Sequence, residues 1–311
     1  MGCGPHLCAF GVSPRAPLSR YSTEPSLPYG SFLLRVDLHC HSNASDGELA
    51  PADLLRLLAG DGVTLAAITD HDTFEGWSRI EPGAPEAAGL RLLTGIEFSS
   101  RYQNRECHVV GLGFDAGHAG IRAAVEAQVQ RRHERARQLA ARLEYLGVPG
   151  ALHAALAHAD GAVPGRPHFA RFLVDQGRVR DMEEAFDRYL GEGKPAACPV
   201  LWPAMDEVIG WIRAAGGVAV LAHPLAYSFA KTRSKLRSLI SSFKECGGAA
   251  VEVAMAGSAP DRMAQVAKLV AEAGLRASAG SDFHSAAQFW RRPCRVPELP
   301  AGLEPVWSEW L

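Results

Sequence analysis

The chain has 311 residues, 47% of them hydrophobic and 21% charged, with a formal net charge of −2. Those proportions suit one large globular domain, or one domain carrying an insertion, and exclude a generic polyanion binder held by bulk charge. No apolar run approaches the roughly 20 residues that a membrane-spanning helix needs.

Residues 1–31 are rich in Pro, Ser and Gly and show neither helical nor strand periodicity, so they read as a disordered extension. Their few arginines carry no amphipathic stripe and no apolar h-region, which argues against a targeting peptide. The seven cysteines are odd in number and lack any C-x-x-C pair. That usage fits reduced thiols in a cytoplasm better than a disulfide framework.

From residue 32 onward the pattern alternates. Residues 33–38 read as a buried strand that runs into Asp37-Leu38-His39-Cys40-His41, with the turn residues Ser45-Asp46-Gly47 behind it. Side chains two apart on a strand share a face, so His39 and His41 converge while Cys40 points away. A helix fits at 51–60, followed by strands at 64–69, 91–97 and 106–113. Further strands fit at 217–222, 248–254 and 275–280, alternating with helices at 203–215, 231–245 and 260–273. Apolar strands separated by helices predict a parallel α/β sheet, and about seven such units close naturally into a barrel.

Between these halves, residues 117–200 break the rhythm. Helices fit at 118–146, 150–159, 166–176 and 181–190, a stretch too long for a simple crossover. The expected organisation is a barrel from 32–116 and 201–311 with a helical cap, 117–200, inserted over its mouth.

The candidate ligands fall at one structural address. Beyond His39, His41 and Asp46, the strands run into Asp70-His71-Asp72, Glu97, His223-Pro224 and Ser281-Asp282-Phe283-His284, and His108 lies in the strand after Glu97. The carboxyl ends of a parallel sheet lie on one rim, so residues far apart in sequence can meet there. Imidazoles mixed with carboxylates suit divalent ions of the Mn, Fe or Zn kind. His39, His41, Asp46, His71, Glu97, His108, His223, Asp282 and His284 are too many for one ion of four to six ligands, which implies two or three ions.

In the order D-L-H-C-H-S, S-D-G, T-D-H-D, G-I-E, C-H-V, A-H-P and G-S-D-F-H, the chain resembles the PHP superfamily, named for polymerase and histidinol phosphatase. The likeness spans residues 33 to about 290 and implies a distorted (β/α)7 barrel holding up to three metals. Residues 165–174 and Arg188-Tyr189-Leu190-Gly191 are similar to the branch of nucleoside 3′,5′-bisphosphate phosphatases, also described as RNase AM, a 5′-to-3′ exoribonuclease. By that resemblance His39, His41, Glu97 and Asp282 hold one ion; Asp46, His71 and His284 a second; His108 and His223 a third, with Glu97 shared.

The resemblance implies a phosphoesterase that removes the 3′-phosphate of nucleotides such as adenosine 3′,5′-bisphosphate and extends to trimming short 5′-phosphorylated RNA. Paired ions would make hydroxide from water for in-line attack on phosphorus, with no Ser or Cys nucleophile. Mn2+ is the first expectation for the metal. Arg166, His168 and Lys194 are candidates to grip a second phosphate, together with the metal-side His223. The segment 194–199 lacks the aromatic expected for base stacking.

Two rival functions stay open: a histidinol-phosphate or other small phosphomonoester phosphatase, and a non-catalytic metal-binding module. A small nucleotide or a short RNA 5′ end is the expected partner, with no membrane and no obligate protein. Asp37, Asp70 and Asp72 are expected to orient imidazoles. Cys40 and Cys107 read as small buried hydrophobes, and Arg131 to Arg137, interleaved with Glu134, as a solvated salt-bridged face.

Overall fold

The computed structural model describes Met1 and residues 34–311; the expected N-terminal extension lies outside the described residues, apart from Met1. The first sheet is parallel, in the order β1 (Val36–Cys40), β2 (Leu65–Ile68), β3 (Arg91–Leu93), with α1 (Pro51–Gly60) between β1 and β2. Pro51 occupies the first turn of α1, where its missing N–H costs nothing, and Leu54, Leu55 and Leu58 form its buried stripe. Two short helices, α2 (Glu75–Ser78) and α3 (Ala84–Ala87), lead into β3.

The expected strand 91–97 is two strands. Thr94 separates β3 from β4 (Gly95–Tyr102), which opens a second sheet in the order β4-β5-β6-β7-β8. There β5 (Arg105–Leu112) pairs antiparallel with β4, and β6 (Val218–Leu221) antiparallel with β5; only β7 (Ala250–Met255) and β8 (Arg276–Gly280) restore parallel pairing. This corrects the all-parallel expectation. The cause is local: Gln103 and Asn104 both take positive φ (47° and 62°), which makes a two-residue hairpin between β4 and β5.

The two sheets touch through isolated bridges, Cys40 beside Phe283 and His71, after the central strand β2, beside Glu97 on the edge strand β4. The backbone joins them as Asp282 N–H donates to His39 O at 2.7 Å and Asp72 N–H to Glu97 O at 2.8 Å. Gly280 is required at the first junction, because a Cβ there would lie 2.5 Å from His39 Cβ. Among the described residues the strands do not form one closed sheet.

The long insertion is helical, as expected. Its elements are α4 (Ala119–Tyr145), α5 (Ala151–Ala159), α6 (Arg166–Asp175) and α7 (Met182–Ala185), the last continued by a π-turn over Phe186–Leu190. Helix α4 serves two cores. Its first turns place Ile121 and Ala124 in the main core under the second sheet; its later turns place Ala136, Leu139, Ala140 and Leu143 in a separate cluster with Phe169, Phe172 and Leu173. After the insertion come α8 (Met205–Ala214), α9 (Arg233–Glu245) and α10 (Pro260–Ala273), all within one or two residues of the expected spans. No helix among the described residues is long and apolar enough to cross a membrane.

Candidate metal centre

All nine expected ligands converge. β1 supplies His39, and His41 follows it on the same face; their Nε2 atoms are 3.1 Å apart. Asp46 comes from the turn after β1 and His71 from the turn after β2. Asp282 and His284 follow β8, and His223 follows β6. Glu97 and His108 depart from the expected rim position, since they sit inside the antiparallel strands β4 and β5, not at strand ends.

Glu97 is the hub. Its Oε1 lies 2.9 Å from His108 Nδ1 and 2.8 Å from His223 Nε2. Its Oε2 lies 3.3 Å from His39 Nε2, 3.4 Å from His41 Nε2 and 2.9 Å from His71 Nδ1. None of those three nitrogens donates to it: Glu97 Oε2 and His71 Nδ1 are both buried without a hydrogen-bond partner. Asp282 Oδ1 stands 3.6 Å from His39 Nε2 and 3.5 Å from His41 Nε2. On the other side, Asp46 Oδ1 is 3.4 Å from His284 Nε2, and Asp46 Oδ2 is 3.8 Å from His71 Nε2.

Lone pairs aimed at one another without a shared proton are costly when buried, and a cation removes that cost. Three groupings have donor atoms close enough to share an ion: His41, Asp46, His71 and His284; His39, His41 and Glu97; His71, Glu97 and His108. The donor set therefore fits divalent metal. The groupings differ from the expected partition, because His41 stands in the first and second and His71 in the first and third.

Burial and neighbouring charge oppose each other across the cluster. Burial would raise Glu97, yet His71, His39 and His108 hold its carboxyl well below the usual range. Burial pushes His41 down to about 3, with the neighbouring His284 adding to it. Burial also opposes charge on His108 and His284, but Glu97 lifts the first and Asp46 the second, each to about 9. The backbone is strained at two of the candidate ligands, with φ of 26° at His223 and 51° at Asp282.

The acids expected to orient imidazoles do other work. Asp37 accepts the backbone N–H groups of His39 and Ser281, and Asp70 accepts Ser42 N–H and the hydroxyls of Ser42 and Ser45. Asp72 accepts Ser99 N–H, Gln128 Nε2 and Arg132 Nε, tying α4 to β4. They sit beside strands whose backbone needs partners, and short side chains reach backbone before they reach a ring. The residue that orients His39 is Glu252, whose Oε1 is 2.6 Å from His39 Nδ1 and whose Oε2 accepts His223 N–H at 2.5 Å. It was missed. The available signal was one carboxylate in the otherwise apolar β7, Ala-Val-Glu-Val-Ala-Met, where it is 2% exposed.

A cavity of about 960 Å³ opens beside His108 and His223. Arg166 and Lys194 line it, as do Arg101, Arg105, Arg135 and Arg142. His168 does not: it is 2% exposed, and its Nδ1 accepts Gly165 N–H at 2.9 Å, so it caps α6. Within the run Arg131 to Arg137, Arg137 pairs with Glu134 on the surface as expected, but Arg132 and Arg135 turn inward over Trp202, 5.7 and 5.5 Å from its ring. Trp202, Tyr227 and Phe229 give the cavity the aromatic surface that 194–199 lacks. Cys40 and Cys107 are fully buried, and the five described cysteines are free.

No family model matches the chain. It is 40% identical over 281 residues to a 5′-3′ exoribonuclease of Haemophilus influenzae, covering 88% of this chain and 98% of that one. To a 3′,5′-nucleoside bisphosphate phosphatase of Chromobacterium violaceum it is 37% identical over 278 residues, covering 89% and 96%. A solved structure of an amidohydrolase from Chromobacterium violaceum, with bound sulfate and no metal, superposes with a TM-score of 0.83 at 36% identity, covering 88% and 95%. A structure from Bifidobacterium adolescentis described as a metal-dependent phosphoesterase superposes with a TM-score of 0.72 at 26% identity, covering 88% and 93%.

The chain belongs to the PHP superfamily. As a PHP protein it has an α/β fold and is a hydrolase of phosphoric esters, with a His/Asp/Glu cluster able to bind metal.

Proposed function

We propose that this PHP enzyme removes the 3′-phosphate of nucleoside 3′,5′-bisphosphates, adenosine 3′,5′-bisphosphate among them, and trims 5′-phosphorylated RNA from its 5′ end. The observation that carries the reading is the basic, aromatic-lined cavity running directly onto His108 and His223. A nucleotide with two phosphates needs charge at two places and an apolar wall for its base, and the cavity offers all three. The names of its relatives point the same way.

In this reading the two sheets make a distorted barrel and residues 117–200 its cap. Bound ions, Mn2+ first and Fe or Zn as the alternatives, would neutralise phosphate oxygens and make water acidic enough to attack at neutral pH. His39, His41, Glu97 and Asp282 would hold one, Asp46, His71 and His284 another, and His108 with His223 and Glu97 a third. Arg166 and Lys194 would hold the phosphate that is not cleaved, and Trp202, Tyr227 and Phe229 would wall the base. The burial of His39, His41 and Glu97 keeps bulk water off the ligands. A cytoplasmic setting, a small nucleotide or short RNA end as partner, and no obligate protein partner belong to the same proposal.

The test is phosphate release by the purified protein with Mn2+. Adenosine 3′,5′-bisphosphate should be cleaved faster than histidinol phosphate, and His223→Ala or Asp282→Ala should abolish release. A reversed preference would favour a small phosphomonoesterase; metal binding with no turnover of any phosphoester would mark a non-catalytic module.

A further inference from the structure

Glu106 stands two residues before His108 on β5, so both side chains leave the strand on one face while Cys107 is buried on the other. Its Oε1 is 3.4 Å from His108 Nε2 and accepts Arg166 Nη2 at 3.4 Å; its Oε2 accepts Arg135 Nη2 at 3.2 Å. The other nitrogen of His108 faces Glu97 Oε1 at 2.9 Å. One carboxylate therefore touches a candidate metal ligand on β5 and two cavity-lining arginines from α4 and α6.

An acid in a cavity lined by Arg101, Arg105, Arg135, Arg142, Arg166 and Lys194 works against an anionic substrate by its charge alone. Its position supplies the compensation. An imidazole between two carboxylates can carry its proton on either nitrogen; a proton on Nε2, held by Glu106, leaves the Nδ1 lone pair on the Glu97 side, where a cation would take it. The same carboxylate offsets the mutual repulsion of Arg135 and Arg166 and fixes their planar ends before any phosphate arrives.

We propose that Glu106 is a positioning residue that holds His108 for metal and Arg135 with Arg166 for the second phosphate of the substrate, and so couples metal occupancy to recognition of a doubly phosphorylated ligand. The substrate half of this inference rests on the proposed function; the metal half does not.

The experiment uses the full chain with Glu106→Gln and Glu106→Ala. Mn2+ binding is measured by calorimetry, KM is measured for adenosine 3′,5′-bisphosphate and for p-nitrophenyl phosphate at saturating Mn2+, and each variant is melted by circular dichroism. The weakest Mn2+ step should lose about 10-fold or more in affinity, as removal of such a partner does elsewhere. KM for the bisphosphate should rise about 10-fold, with KM for the singly phosphorylated ester within about twofold of wild type. Wild-type Mn2+ affinity or an unchanged KM ratio in both variants, whatever their melting temperatures, would overturn the coupling and leave Glu106 a structural ion pair. If the wild-type enzyme cleaves p-nitrophenyl phosphate but not the bisphosphate, the substrate proposal has failed by itself, and the Mn2+ isotherms still decide whether Glu106 holds His108.

Discussion

Glu252 Oε1 lies 2.6 Å from Nδ1 of His39 while its Oε2 holds the backbone N–H of His223, so one buried carboxylate fixes candidate ligands on β1 and after β6. Carboxylate on the far nitrogen sets the tautomer and raises the basicity of the ring. Glu252→Gln should weaken metal binding by about 10- to 100-fold and lower activity at limiting Mn2+, with activity recovering at high Mn2+. An unchanged metal titration would show that Glu252 serves only the packing of β7.

The metal-free protein should lose stability as pH rises. His108 and His284 have folded-state values lifted to about 9, burial opposing and Glu97 and Asp46 outweighing it. A raised value stabilises fully below the unfolded value near 6.5 and is lost as pH climbs through about 9. His41, pushed down to about 3, does not titrate in that window. Melting temperature in chelator should therefore fall between pH 6.5 and 9, and the fall should vanish with saturating Mn2+, which takes the freed nitrogens. A flat profile in chelator would refute the account.

Metal removal should itself cost stability. Ions that bind only the folded chain add about 2.7 kcal/mol at 100 times their dissociation constant. Dialysis against a chelator should lower the melting temperature, and Mn2+ should restore it in a concentration-dependent way; a melting temperature indifferent to both would argue that the ligand cluster is inert.

Gly280→Ala should damage structure and site together. Its Cβ would fall 2.5 Å from His39 Cβ, and the nearest atoms belong to β1, which cannot swing aside. Overpacking of this kind costs about 1–3 kcal/mol. Thermal melts should show that loss, with weaker Mn2+ binding beside it; wild-type values for both would mean β1 and β8 are looser than their bridging implies.

Asp72→Ala should loosen α4. Asp72 is buried and neutralises Arg132, which is 11% exposed, at 2.6 Å while also holding Gln128. Removing one partner of a buried pair costs about 3–5 kcal/mol. Asp72→Asn, which keeps the acceptor and tolerates its φ of 55°, should cost less. Equal losses for both variants would show that the charge, not the tether, matters.

Much of the site was legible in the chain itself. His39 and His41 share a face because a strand alternates, and Asp46, His71, His223, Asp282 and His284 follow strands whose apolar runs mark where they end. Helices α1 and α10 coincide with their expected spans because apolar stripes and an N-terminal proline define them locally. The pattern of strand and helix also located the long helical insertion.

What the sequence alone determined was the set of His, Asp and Glu candidates, the α/β alternation and the helical character of residues 117–200, since all three rest on local periodicity and residue chemistry. Only the tertiary structure decided three things. It set the direction of β6, which pairs antiparallel with β5 across the inserted helices. It gave Glu252 and Glu106 their partners, 213 and 60 residues away in sequence for His39 and Arg166. It also moved His168 out of the cavity and brought Arg135 and Trp202 into it. Those are contacts between distant segments, fixed by how the sheets and α4 pack, and local pattern carries no record of them.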